Sequence, residues 1–183
     1  DVSTYIASPF GTPSMAQAAR ELQEDGVTHV ILLPLFPQYA LETTGKALSM
    51  WESLVQKRVL DTRPTIAIYE FSKRRKYVAA LSERIEEALQ RFPRHIRPEV
   101  EILFAAHGIP TEGEANHRDP YLNLVEGTVK EIMSLRDDDR SYSLSFVRRR
   151  SWGDQVSVDL KERLRRMARA GSRAVVVVPV DYV

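Results

Sequence analysis

Residues 100–110 read VEILFAAHGIP, and this stretch limits the choice of folds more than any other part of the chain. Its apolar residues, Val100 and residues 102–106, are typical of a strand that is buried on both faces of a sheet. His107 follows directly, and Gly108 and Pro110 then end the strand and shape a turn. Because open parallel sheets bind ligands beyond the carboxyl ends of their strands, we expect His107 to lie in a crevice instead of the core.

The chemistry of His107 alone leaves two interpretations open. An imidazole changes its protonation state near neutral pH, so it can accept a proton or bind a metal ion. The alternative is a histidine that simply caps a strand, and chemistry alone favours neither. A structural zinc site is not indicated, because no second histidine follows four residues later and the chain contains no cysteine.

Segments typical of strands alternate with segments of helical spacing along the whole chain. The strand-like segments are residues 2–8, 30–35, 66–71, 100–106, 142–147 and 174–178. Between them lie helix-like segments, two of which begin with a polar cap followed by proline, at Thr12-Pro13 and Asp119-Pro120. This alternation predicts an α/β fold with parallel sheets and right-handed crossovers. The charged segment 56–64, which contains Pro64, interrupts the pattern and predicts a change of domain.

Composition excludes several classes of function. The net charge of +1 gives no electrostatic reason to expect a nucleic-acid partner. The absence of cysteine excludes disulfides and fits a reducing compartment, so we expect a cytoplasmic location. Neither a glycine-rich nucleotide-binding loop nor the serine elbow of a hydrolase is present. The basic runs 73–76 and 148–150 could contact phosphates, but a solvated face is the favoured interpretation.

Four phrases in order along the chain carry a family resemblance. They are FGTPS at residues 10–14, LPLFPQYALETTG at 33–45, FAAHGIP at 104–110 and DPY at 119–121. They resemble the YGTPS, LPLYPQYS-x-x-TTG, FSAHGLP and GDPY phrases of ferrochelatases, and the resemblance covers nearly the whole chain. One such phrase alone would be a weak signal, whereas four in order are a strong one.

The resemblance implies two Rossmann-like domains of the chelatase type, with parallel sheets flanked by helices, around a porphyrin cleft. Residues 1–57 would be the C-terminal half of an incomplete first domain, and residues 58–183 a second domain that stops after its last strand. The implied activity is insertion of ferrous iron into protoporphyrin IX, which makes protohaem. Ferrous iron is then a substrate, and no organic cofactor is expected. Peripheral association with a membrane is a further expectation, while an iron–sulfur cluster and the oligomeric state stay open.

The resemblance also implies roles for individual residues. His107 corresponds to the site histidine, which abstracts a pyrrole proton, delivers the metal, or does both. Phe36 and Tyr39 would be aromatic walls for the flat ligand, with packing at the domain junction as the alternative.

Four further residues are implied as porphyrin contacts, three of them with a structural alternative. Thr44 could instead cap a helix, Tyr121 could instead belong to the core, and Trp152 could instead anchor a loop. Pro110 completes the histidine phrase.

Two departures from the family pattern keep another class of function open. Ala105 replaces a serine, which removes a hydroxyl near the site. Members of the family place an essential Glu, in an Asp-x-x-Glu-Thr phrase, shortly after the last strand, and Asp181 lies near the start of that region. We therefore expect this Glu, the carboxylate partner of His107, to lie outside these residues. The alternative is therefore a non-catalytic porphyrin- or haem-binding module on the same fold. A cobalt chelatase is a weaker alternative, because the FPQY and TTG phrases favour the iron enzyme.

Overall fold

A computed structural model describes residues 2–9, 11–107, 120–136, 138–147, 151–152, 155–156 and 159–181. The chain divides into two compact units, residues 1–70 and residues 71–183. None of the described helices is long and apolar enough to cross a membrane.

The first unit packs two helices against a small parallel sheet. Its elements are α1 (Met15–Glu24), β1 (Val30–Leu32), a π-helical turn (Leu41–Gly45), α2 (Lys46–Gln56) and β2 (Thr65–Ala67). Strands β1 and β2 run parallel, with Val30 opposite Thr65. Val30 and Leu32 pack against a buried cluster that contains Leu22 and Trp51, and this cluster is the core of the unit.

Three expectations for this unit are wrong in detail. Residues 2–7 form no strand, and Ser8 makes only an isolated bridge to Ser14. Helix α1 is capped by Ser14, whose hydroxyl accepts from the Gln17 N–H at 3.2 Å, instead of by Thr12. The strand expected over residues 30–35 ends at residue 32 and is not buried on both faces, since Ile31 is exposed. Val30 and Leu32, on the other face of this strand, pack against the buried cluster.

The second unit is built around a three-stranded parallel sheet. Its elements are α3 (Arg75–Gln90), a 3-10 turn (Arg97–Glu99), β3 (Glu101–Ala106), α4 (Pro120–Ser134), β4 (Tyr142–Phe146), β5 (Ser151–Trp152), β6 (Gln155–Val156), α5 (Leu160–Arg169) and β7 (Val175–Pro179). The strand order is β4-β3-β7, with both pairs parallel. The predicted α/β class with parallel strands is therefore confirmed.

The burial of β3 explains its apolar sequence. It is the central strand, and Ile102, Leu103 and Phe104 are fully buried because neighbouring strands and helices enclose it. Helices α3 and α4 contribute Ile85 and Val125 to the buried residues. The short antiparallel pair β5–β6 was not predicted from the sequence.

The compact units divide at a different residue from the expected domain boundary. The sequence places the domain boundary between residues 57 and 58, which stays a prediction, and the first compact unit extends to residue 70. The reason is that β2 pairs with β1 and that Leu60 is buried in the first unit's core. The assignment of both units as Rossmann-like domains stays a prediction.

Candidate active site

His107 lies directly after the central strand β3, at the carboxyl edge of the second unit's sheet. Its side chain is 44% exposed, whereas the strand before it is buried. The apolar residues of β3 are held by the core, so the first polar residue after them emerges at the sheet edge. An imidazole at this position can contact a bound ligand without any rearrangement of the strand.

Asp181 faces His107 from the neighbouring strand end. Its Oδ2 accepts a hydrogen bond from the backbone N–H of His107 at 2.6 Å and lies 3.3 Å from Nδ1 of the same residue. The Asp181 side chain is only 5% exposed. Asp181 thus places a carboxylate beside His107, while the position of the family's Glu outside these residues stays a prediction.

Strand register brings the two residues together. In the β3–β7 pair Ala105 lies opposite Pro179, and the same offset of 74 positions places His107 opposite Asp181. The backbone ladder continues as far as the hydrogen bond from the Val180 N–H to the Ala105 carbonyl, at 3.0 Å. Beyond it, the carboxylate of Asp181 accepts the His107 N–H.

Two tyrosines, one from each of two helices, hydrogen-bond to the end of the last strand segment at residues 180 and 181. Tyr121, in the first turn of α4, donates its hydroxyl to Asp181 Oδ2 at 2.6 Å and lies 3.2 Å from the His107 carbonyl oxygen. Tyr77, in the first turn of α3, donates to the Val180 carbonyl at 3.0 Å. Burial and, to a smaller extent, the negative charge of Asp181 raise the pKa of Tyr77 above its ordinary value. Tyr77 is therefore a neutral donor at physiological pH.

The second oxygen of Asp181 has a different environment. Within the described residues, Oδ1 is buried and accepts no hydrogen bond. In the same part of the chain, no group of three or more His, Asp or Glu side chains is arranged to hold a metal ion. His107 and Asp181 can thus supply part of a coordination shell or a proton-accepting pair, but not a complete cage.

The predicted aromatic residues lie in the first unit. Phe36 and Tyr39 follow the carboxyl end of β1 and are half-buried. The Tyr39 ring lies 6.3 Å from the ring of Tyr69, centroid to centroid, with the planes tilted by 46°. Tyr69 follows β2, which is parallel to β1, so the two aromatic side chains meet at one edge of the small sheet.

Thr44 belongs to the π-helical turn that follows these aromatic residues. It is fully buried, and its hydroxyl has no hydrogen-bond partner within the described residues. The next residue, Gly45, lies so close to the Tyr39 hydroxyl that an added Cβ would be 3.0 Å from it. The turn therefore packs tightly against Tyr39, and π-helical turns occur often at functional sites.

The remaining predicted residues can be located only in part. Pro110 lies outside the described residues. Trp152 lies in β5, where the structure describes the backbone. Ala105, which replaces the family serine, pairs with Ser145 on β4. The Ser145 hydroxyl is buried and has no hydrogen-bond partner within the described part of the chain.

Sequence reasoning missed Asp181, Tyr69 and Tyr77 as residues near the candidate sites. Asp181 had a usable signal, because it is the first charged residue after the apolar segment 174–180, just as His107 is the first polar residue after β3. In a parallel sheet such positions meet at one edge. Tyr77 had no such signal, since its helical spacing is equally typical of a core residue.

Comparisons with known proteins give consistent matches to one family. The sequence model of the family described as Ferrochelatase matches residues 1–183. A ferrochelatase of Gloeobacter violaceus is 28% identical, in an alignment that covers 100% of this chain and 56% of that protein. The "Ferrochelatase-1, chloroplastic/mitochondrial" of Arabidopsis thaliana is 29% identical, with 99% of this chain and 39% of that protein covered. A ferrochelatase of Geotalea uraniireducens is 30% identical, with 98% and 54% covered. The chain thus spans about half the length of these relatives, or less.

Proposed function

The chain belongs to the ferrochelatase family, and from this premise we propose that it forms part of an enzyme that inserts ferrous iron into a porphyrin. Membership of the family supports a role in haem biosynthesis. The observation that carries the proposal is the placement of His107, whose partly exposed imidazole lies at the sheet edge against a buried carboxylate. The proposed porphyrin is protoporphyrin IX, which would give protohaem.

The reaction sets two chemical requirements. Two pyrrole N–H protons must leave as the ferrous ion enters, and the macrocycle must be distorted so that a nitrogen lone pair faces the metal. A neutral imidazole can accept one of these protons or pass the metal ion to the ring. We propose that His107 acts in the reaction as the base that accepts a pyrrole proton, as the ligand that delivers the metal ion, or as both.

Aromatic side chains supply the proposed contact with the macrocycle. Phe36 and Tyr39 are half-buried at the end of β1, and each keeps apolar surface available to a flat ligand. Thr44 and Tyr121 are buried, so a direct contact with porphyrin would require either side chain to become exposed.

The remaining assignments stay predictions. Contacts of Pro110 and Trp152 with the porphyrin rest on the motif resemblance, and so does the choice of protoporphyrin. The cytoplasmic location is also a prediction, and the Arabidopsis relative carries the words "chloroplastic/mitochondrial" in its name.

The decisive experiment is an anaerobic assay of ferrous iron insertion into protoporphyrin, followed by porphyrin absorbance. The full-length protein that contains this chain is compared with its His107→Ala variant. The matched control is His95→Ala, since His95 is an exposed histidine of the same compact unit. We expect His107→Ala to abolish insertion while porphyrin binding survives, and His95→Ala to retain both.

The other outcomes discriminate between the candidate functions. Unchanged turnover in His107→Ala would refute the assigned role of this residue. Porphyrin binding without insertion in any of the proteins would favour the binding module. A protein that binds no porphyrin at all would contradict both functions.

A further inference from the structure

We propose that Asp181 is a positioning residue that holds His107 in a single tautomer, with the proton on Nδ1 and the lone pair on Nε2. The inference rests on the function proposed above, because it states how the reacting imidazole is prepared. It is carried by the convergence of three contacts on one buried oxygen, Asp181 Oδ2.

Two of these contacts immobilise the carboxylate. The His107 backbone N–H and the Tyr121 hydroxyl both donate to Oδ2 at 2.6 Å. One donor belongs to the end of β3 and the other to the first turn of α4, while the acceptor follows β7. A carboxylate that is hydrogen-bonded to two other elements cannot turn freely, so Oδ2 has a defined position relative to the imidazole.

The third contact selects the tautomer. Nδ1 of His107 lies 3.3 Å from the same oxygen, at the long end of hydrogen-bond distances. An ionised carboxylate accepts hydrogen bonds and donates none. A bare lone pair on Nδ1 would therefore be repelled, whereas a proton on Nδ1 makes the contact attractive. In the neutral ring the lone pair must then reside on Nε2, and this is the arrangement by which carboxylates orient metal-binding histidines.

The exposed fractions of the two side chains agree with Asp181 as the positioning residue and His107 as the reacting one. The imidazole is 44% exposed and the carboxylate 5%, so the anchor is enclosed while the ring still reaches the surface. Asp181 does not need to touch a substrate for its effect. It acts through His107.

The primary test measures the tautomer itself. Two-bond proton–nitrogen correlation spectra of the ¹⁵N-labelled full chain, recorded at about pH 8, where an ordinary imidazole is neutral, show which ring nitrogen carries the proton. The His107 signals are identified by their loss in His107→Ala. We expect a protonated Nδ1 in the unmodified protein, and a protonated Nε2 would overturn the proposal without any further variant.

Variants extend the test to Asp181. In Asp181→Asn the amide can both donate and accept, so we expect a mixture of the two tautomers. Asp139→Asn is the matched control, since Asp139 is exposed on the same compact unit, and it should leave the His107 spectrum unchanged. Tyr121→Phe keeps an acceptor-only carboxylate and should retain the Nδ1–H tautomer. An unaltered His107 spectrum in folded Asp181→Asn would overturn the proposal.

Kinetics separates positioning from substrate binding. We expect kcat for iron insertion to fall about 10- to 100-fold in Asp181→Asn with little change in KM for porphyrin. A rise in KM at constant kcat would contradict a positioning role. If no protein inserts iron, the proposed function fails, while the tautomer spectra still decide the proposal for Asp181.

Discussion

The Tyr121→Phe substitution offers a quantitative test of the hydrogen bonds around Asp181. It removes one oxygen atom from a buried ring and leaves the ring itself in place. A hydroxyl has one proton to donate. Because the Tyr121 oxygen lies 2.6 Å from Asp181 Oδ2 but 3.2 Å from the His107 carbonyl, we assign that proton to the carboxylate.

The magnitude follows from the type of bond that is lost. Hydrogen bonds to charged acceptors contribute roughly 1.5–3 kcal/mol, about twice the contribution of neutral pairs. No cavity of side-chain size is created, so the large costs of core truncation do not apply. We therefore expect the free energy of unfolding to fall by about 1.5–3 kcal/mol, which lowers the folded-to-unfolded ratio by roughly tenfold to more than a hundredfold.

Urea unfolding followed by circular dichroism measures this change. The midpoint should shift to lower urea at an unchanged slope, since the surface exposed on unfolding stays the same. Tyr142→Phe is the matched control, because the Tyr142 ring packs edge-on against Phe104 and is partly exposed at the start of β4. We expect the control to change stability by less than about 0.5 kcal/mol. A loss below that value in Tyr121→Phe, or an equal loss in both variants, would refute the reasoning.

Three further predictions concern ionisation and an unsatisfied hydroxyl. The pKa of Tyr77 is raised, so the contribution of this hydroxyl to stability is complete below its ordinary pKa of 10.0 and is lost as the pH rises above that value. Tyr77→Phe should therefore flatten the fall in melting temperature above about pH 10. Burial raises the pKa of Asp138, but the hydrogen bonds and charges of Arg136 and Arg140 together outweigh it and leave that pKa below its ordinary value. Asp138→Asn should thus cost about 1–2 kcal/mol at neutral pH, and chemical denaturation should show the deficit disappearing as acid protonates the carboxyl. Ser145→Ala removes a buried hydroxyl that has no partner in the described part of the chain, so unfolding free energy should rise by as much as about 1 kcal/mol; a loss of that size would contradict this account.

The local features of the fold were predictable where the physical signal is local. The apolar residues 102–106 predicted the buried central strand and the position of His107 at its end. Gly26 and Gly171 follow the ends of α1 and α5, and both adopt positive φ angles, 68° and 90°, which glycine accepts without strain. Such signals depend on a few neighbouring residues.

The failures share a different cause. The segment 2–8 has strand-like residues but makes no ladder, because a strand exists only where a partner supplies hydrogen bonds. Ile31 looked like a core residue and is exposed, since burial depends on what covers each face of the sheet. In both cases the missing information lies in other parts of the chain.

The candidate site shows the same division between local and long-range information. From the amino-acid order alone one could derive the α/β alternation, the strand that ends at His107 and the resemblance to ferrochelatases. Only the tertiary structure shows that the Asp181 carboxylate accepts a hydrogen bond from the His107 backbone N–H, and that the Tyr121 hydroxyl donates to the same carboxylate. The physical reason is that parallel pairing of β3 with β7 joins residues 74 positions apart, and this register is set by the packing of the whole unit.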